Sequence, residues 1–314
     1  MTPIAPPHSR RAFLRTAGTA LSGLALLPHP ARAVEPFARS GPAHLQLSLA
    51  AYSFREHFND NTRPAPDTAP ARPLDLFQFV DYCAEHGCAG AELTSYYFPK
   101  NFDDAFLLKL RRHCFLRGVA VSGTAVGNTF THPAGPKRAA EIASVKKWVD
   151  HAALLGAPHI RVFAGETQKG ATREEAIKLC IAALEECADY AGRKGIFLGI
   201  ENHGGIVAEA SELLAIMRAV QSPWVGINLD TGNFHTPDPY RDLELIAPYA
   251  VNVQMKGEIA PRGQPKQAAD LTRLVKILRA ARYQGYVVLE YESAEDPWKG
   301  VPTLLEKMKP LLAG

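Results

Sequence analysis

Phe197-Leu198-Gly199-Ile200-Glu201 is an apolar run closed by a carboxylate, and the chain repeats the design three times. The repeats are Gly226-Ile227-Asn228-Leu229-Asp230, Val251-Asn252-Val253-Gln254 and Val287-Val288-Leu289-Glu290. Each run suits a buried strand, and each ends in a side chain able to hold a divalent metal. The ends recur roughly every 25 to 35 residues, the length of one strand plus its return helix in a βα unit. Closing such units into a barrel brings all four polar ends to one face.

Working outward, apolar runs and breakers predict eight strands: Leu45–Ser53, Ala89–Leu93, Val119–Ala125, His159–Phe163, Phe197–Glu201, Val225–Asp230, Val251–Lys256 and Tyr286–Glu292. Helical spacing fills the intervals: Leu74–His86, Asp103–Arg117, Ala139–Leu155, Arg173–Arg193, Val207–Val220, Arg241–Ile246, Asp270–Ala281 and, last, Val301–Leu312. Gly87, Gly118, Gly156, Gly195 and Gly285 follow five helices, where a left-handed residue is expected. This alternation over about 280 residues predicts an α/β fold, a (β/α)8 TIM barrel, with its chemistry at the C-terminal ends of the strands. The loop Arg55–Pro73 follows the first strand on that face and reads equally as a lid or an insertion.

The N-terminus carries Ser9-Arg10-Arg11-Ala12-Phe13-Leu14, an uncharged run from Thr16 to Leu27, and Ala31-Arg32-Ala33. That order reads as a twin-arginine export signal over residues 1–33, with the barrel domain over 34–314. The expectation is a soluble periplasmic or otherwise exported protein that engages the twin-arginine translocation machinery. No stretch reaches the roughly 20 apolar residues of a membrane span. Removing the segment takes away Arg10, Arg11, Arg15 and Arg32 and no acid, so the formal +3 becomes about −1. A near-neutral domain lacks the charge of a nucleic-acid binder. The odd set Cys83, Cys88, Cys114, Cys180 and Cys187 has neither disulfide nor zinc spacing, so buried thiols are expected.

Glu201, Asp230, Gln254 and Glu290 offer oxygen and amide groups, a hard set that favours Mn or Mg over Zn. Taken singly, a carboxylate capping a buried strand reads as well as a structural ion pair. Residues two positions along a strand share a side, so His203 joins Glu201, Lys256 joins Gln254 and Glu292 joins Glu290 as candidate substrate contacts. Lys256 either stabilises charge on substrate or pairs with Glu258 or Glu292. Glu92 and Arg161 either reach the sugar or form an ion pair within a barrel layer. Gly204-Gly205 carries neither nucleotide-loop motif, and no serine or cysteine sits in a nucleophile elbow.

The stretches GIENHGG (199–205), NLDTGNFH (228–235), VQMKGE (253–258) and GYVVLEYE (285–292) resemble the sugar phosphate isomerase/epimerase superfamily, whose barrels are xylose isomerase-like. The resemblance covers essentially the whole chain after residue 33. It implies a metal held by Glu201, Asp230, Gln254 and Glu290, although that family commonly has His where this chain has Gln254. It also implies that Glu201 and Glu290 act as acid and base, one taking a proton beside a sugar carbonyl and the other returning one to the enediolate. Asn233 stands where epimerases often carry a substrate-binding His, for which His235 is the candidate substitute. The implied activity is a metal-dependent isomerase or epimerase of a ketose or oxidised sugar. The alternatives are a lyase or dehydratase of a keto-sugar or 3-keto-glycoside, a DNA-repair phosphodiesterase of the endonuclease IV type, and a non-catalytic sugar-binding barrel. Oligomeric state is left open.

Overall fold

The computed structural model describes residues 34–62 and 72–314. The expected export signal, and residues 63–71 of the Arg55–Pro73 loop, lie outside the described residues. The barrel strands are β1 (His44–Ala50), β2 (Gly90–Thr94), β3 (Ala120–Ala125), β4 (His159–Val162), β5 (Phe197–Glu201), β6 (Val225–Asp230), β7 (Ala250–Met255) and β10 (Gln284–Leu289). They pair in parallel and close in the order β1-β10-β7-β6-β5-β4-β3-β2. Closure runs along β1 and β10, from His44 opposite Gln284 to Leu49 opposite Leu289. An antiparallel ribbon of β8 (Glu258–Ile259) and β9 (Gln267–Ala268), not expected from the sequence, follows β7.

Around the barrel lie α1 (Leu76–Glu85), α2 (Asp104–Arg117), α3 (Pro136–Leu155), α4 (Arg173–Gly192), α5 (Ala210–Ala219), α6 (Pro239–Ile246), α7 (Leu271–Ala280) and α8 (Pro297–Ala313). Reciprocal capping boxes begin α1 at Asp75 and Gln78 and α4 at Thr172 and Glu175, where backbone donors would otherwise lack partners. Pro297 sits in the first turn of α8, where its missing N–H is harmless, so the helix starts four residues before the expected Val301. Gly87, Gly118, Gly156 and Gly195 all have positive φ, as expected. Gly285 does not: it lies inside β10, and Arg282 takes the left-handed turn at φ 51°. The small residue at 285 serves packing instead, because a Cβ there would stand 2.6 Å from the Tyr283 hydroxyl.

Residues before β1 cover the N-terminal end of the barrel. Phe37 packs edge-on against Phe197 at 5.9 Å, and the Arg39 guanidinium lies over the rings of Phe37 and Tyr283. All five cysteines are buried and free. No helix among the described residues is long and apolar enough to cross a membrane.

Candidate active site

The C-terminal strand ends open into a cleft of about 80 Å³ lined by Tyr52, Tyr96, Arg161, Phe163, Glu201, His203, Asn233, Lys256, Glu290 and Glu292. Glu201 is the last residue of β5, and Glu290 follows directly on β10. Two strands, β6 and β7, separate β5 from β10, so the two glutamates enter the cleft from different sides.

Each is held by a cation. Arg161 Nε lies 2.9 Å from Glu201 Oε2, although the N–H is not aimed along the contact and neither atom makes a hydrogen bond. Arg161 is fixed from behind, donating to the Val126 carbonyl at 2.8 Å and stacking 3.9 Å above the Phe163 ring. Asn233 donates to the other oxygen of Glu201 at 2.8 Å. Lys256 Nζ lies 2.8 Å from Glu290 Oε2 and 3.3 Å from Asp230 Oδ2, and it also pairs with Glu292. Glu258, the other partner considered for Lys256, pairs with Lys266 instead.

Beneath the cleft runs a buried polar chain. Asn252 Nδ2 donates to Glu92 and to Asn228, each at 2.8 Å. Asn228 Nδ2 donates to Gln254 Oε1 at 2.6 Å, and Gln254 Nε2 donates to Glu92 at 2.7 Å and more weakly to Glu290 at 3.4 Å. Glu92 is therefore wholly buried and does not line the cleft. Nor does His235, whose Nδ1 lies 3.1 Å from the Ala260 carbonyl; Asn233 occupies the place beside Glu201. Asn202 ties β5 to β6 through paired 2.9 Å bonds to the backbone of Asp230.

Sequence reasoning missed the aromatic wall of Tyr52, Tyr96 and Phe163. Each follows within two residues of a barrel strand, so the strand-end rule that found the carboxylates would have found these too. His203 leans against Phe163 with ring centroids 4.5 Å apart, and its pKa is lowered by burial and by Arg161.

The expected metal ligands were Glu201, Asp230, Gln254 and Glu290. Glu201 Oε2 and Asp230 Oδ2 are buried without hydrogen bonds, as a cation's ligands would be. The other features do not fit. Gln254 gives its oxygen to Asn228 and turns N–H toward Glu290, so it presents a donor rather than a lone pair. Lys256 already stands between Asp230 and Glu290. Among the described residues no group of three or more His, Cys, Asp or Glu is arranged to hold a metal ion.

Five carboxyl groups share this region with two fixed cations. Burial first, and mutual repulsion after it, raises Glu92 to about 8, Glu201 to about 7 and Asp230 to about 8. Burial opposes the charge on Lys256, but Asp230, Glu290 and Glu292 outweigh it and hold the ammonium well above its usual range. Below these carboxyls, burial lowers His159 to about 4. The folded protein thus holds carboxyl protons that the unfolded chain releases above about pH 4.5. It refuses an imidazole proton that the unfolded chain accepts below 6.5. The two effects oppose each other up to pH 6.5, and above it only the carboxyls act. Stability is expected to fall from pH 6.5 to 8 by about 2 kcal/mol for each proton still held. Urea unfolding at both values checks this, and a midpoint that stays level or rises would contradict it.

The family model for xylose isomerase-like TIM barrels matches residues 80–311. The chain belongs to that family. This xylose isomerase-like barrel is 26% identical over 186 residues to the 3-oxo-isoapionate decarboxylase of Pectobacterium atrosepticum, covering 59% of this chain and 61% of that protein. The chain thus spans less than two thirds of the relative's length. Its fold resembles that of a D-psicose 3-epimerase solved in the presence of D-fructose, at 16% identity and TM-score 0.70, covering 86% of this chain and all of the other. It also resembles the IOLI protein with a bound zinc atom, at 18% identity and TM-score 0.68, covering 85% and 96%.

Proposed function

We propose that this barrel moves protons at the carbon beside the carbonyl of a ketose or an oxidised sugar, as an isomerase or epimerase. The observation that carries the reading is the placement of Glu201 and Glu290, two carboxylates entering one small cleft from different strands, each beside a protein cation. One glutamate accepts the proton from carbon. The C–H electron pair becomes the C=C bond, the carbonyl π pair moves to oxygen, and the other glutamate returns a proton to the enediolate. The raised Glu201 suits it to either role near neutral pH. Tyr52, Tyr96 and Phe163 give the sugar's apolar faces a surface, while His203 and Asn233 offer polar groups to its hydroxyls.

The test is solvent exchange. Candidate ketoses and keto-sugars incubated with the enzyme in deuterated water should gain deuterium beside the carbonyl. Glu290→Gln should slow this by about 10²- to 10⁴-fold, the usual contribution of a positioned acid or base. A broad panel without exchange sinks the reading, as does a variant of wild-type rate.

A lyase is the second reading, favoured by the decarboxylase relative. The same enediolate forms when a carboxylate departs as carbon dioxide in place of the proton, and an enediolate formed by proton loss can expel a β-substituent with its electron pair instead of being reprotonated. Product analysis separates the two: carbon dioxide, water or an aglycone marks the lyase, and an isomeric sugar marks the epimerase.

A further inference from the structure

We propose that the Lys256 ammonium, seconded by Arg161, is the resident cation of this site, and that the chain binds no stoichiometric divalent metal there. What that cation does rests on the enediolate reading; which cation it is can be measured without any substrate.

Three independent features of the site carry the inference. The first is the Gln254 amide, locked at both ends in a buried network. Rotating it to aim oxygen at Glu290 would press its NH2 against the Asn228 NH2 and take from Glu92 the N–H that it accepts. The second is occupancy. A metal ligated by Asp230 and Glu290 would stand about 2.0–2.1 Å from an oxygen of each in the Mg case. Lys256 Nζ already lies 3.3 and 2.8 Å from those same oxygens, and two cations cannot share the space.

The third is a seat built for the lysine. Its backbone N–H donates to Thr231 Oγ1 at 2.8 Å, and its stem lies in the notch left by Gly232, where a Cβ would come within 2.7 Å of Lys256 Cγ. The lysine is thus seated as far as Cγ, and beyond that its ammonium is held by three carboxylates.

In the reaction the ammonium takes the part of a Lewis acid. As the proton leaves carbon for a glutamate, negative charge gathers on the carbonyl oxygen, and a Lys256 N–H donates to it. Glu292 is the partner such an oxygen displaces, because its side chain is 33% exposed while Asp230 and Glu290 are nearly enclosed. Arg161 has a different part, balancing the charge of Glu201 when that group is ionised.

The experiment uses the full chain, stripped with chelator and desalted, and reads free Mn(II) by electron paramagnetic resonance as Mn(II) is added. The wild type is expected to bind less than a tenth of an equivalent, and deuterium exchange should be unchanged by chelator or by millimolar Mn(II). The double substitution Gln254→His with Lys256→Met should create a site that takes close to one equivalent. One equivalent bound by the wild type overturns the proposal. So does a double variant that is folded by circular dichroism yet binds no more Mn(II) than wild type. If the double variant does not fold, the wild-type titration decides alone. Failure of the enediolate reading would appear as missing exchange whatever the metal titration gives, so the two ideas fail separately.

Discussion

Arg161→Met is expected to lower folding stability by about 3–5 kcal/mol, the usual loss when one partner of a buried ion pair is removed. Arg161 is 5% exposed and Glu201 3%, so little water reaches the carboxylate once the guanidinium is gone. Methionine keeps most of the apolar stem but leaves the Val126 carbonyl without its donor. The loss depends on pH in a direction that identifies its cause. Burial already raises Glu201 to about 7 with Arg161 in place, so at pH 6 most of the group is protonated before the substitution, little charge is stranded, and the loss falls toward the low end. At pH 8 proton uptake is itself costly, and the loss moves toward the high end. Urea unfolding of both proteins at both pH values tests this. A difference under about 1 kcal/mol at each would mean that the pair is not a buried electrostatic contact.

Gly123→Ala should do comparable damage where no charge is involved. A Cβ at Gly123 would lie 1.9 Å from His159 Cε1 and 2.6 Å from both ring nitrogens. His159 is 2% exposed, inside a barrel whose interior is filled by side chains, so it can move only by displacing its neighbours. Overpacking usually costs about 1–3 kcal/mol, and an overlap this deep belongs at or beyond the upper end. Adding His159→Ala should return part of the loss by clearing the overlap. A Gly123→Ala protein with the wild-type melting temperature would contradict the packing described here.

Much of this barrel could be read from its sequence because parallel strands buried on both faces appear as unbroken apolar runs. All eight expected strands form, and ends such as Glu201 and Asp230 fall on the final residue of their strand. The boundaries that moved did so for local reasons. The first strand stops at Ala50 because Ala51–Phe54 turn into a 3-10 helix, and the last stops at Leu289 because Tyr291 N–H bonds to Ser53 Oγ rather than to the ladder.

The site was legible only in part. Spacing could bring Glu201, Asp230, Gln254 and Glu290 to one face, but not show where an amide points. The orientation of Gln254 is decided by Asn228 and Glu92 on other strands, up to 162 residues away, both of them held in turn by Asn252. Lys256 was seen as a neighbour of Gln254, yet its place among three carboxylates depends on how far its stem reaches across the barrel mouth. Gly285 misled because a glycine after a helix carries the same letter whether it serves a turn or a tyrosine ring.

Tyr291, between Glu290 and Glu292, points outward, and a Cβ at Gly300 on α8 would come within 2.0 Å of its hydroxyl. Its amide is meanwhile fastened to Ser53 beyond β1. The strand end is thus keyed like a shaft in its slot: the phenol outside fixes the rotation that presents both glutamates inside. A rigid key of this kind fixes the backbone from which both carboxylates project. It also means that the geometry of the cleft depends on a glycine of the outer helix, which does not line it.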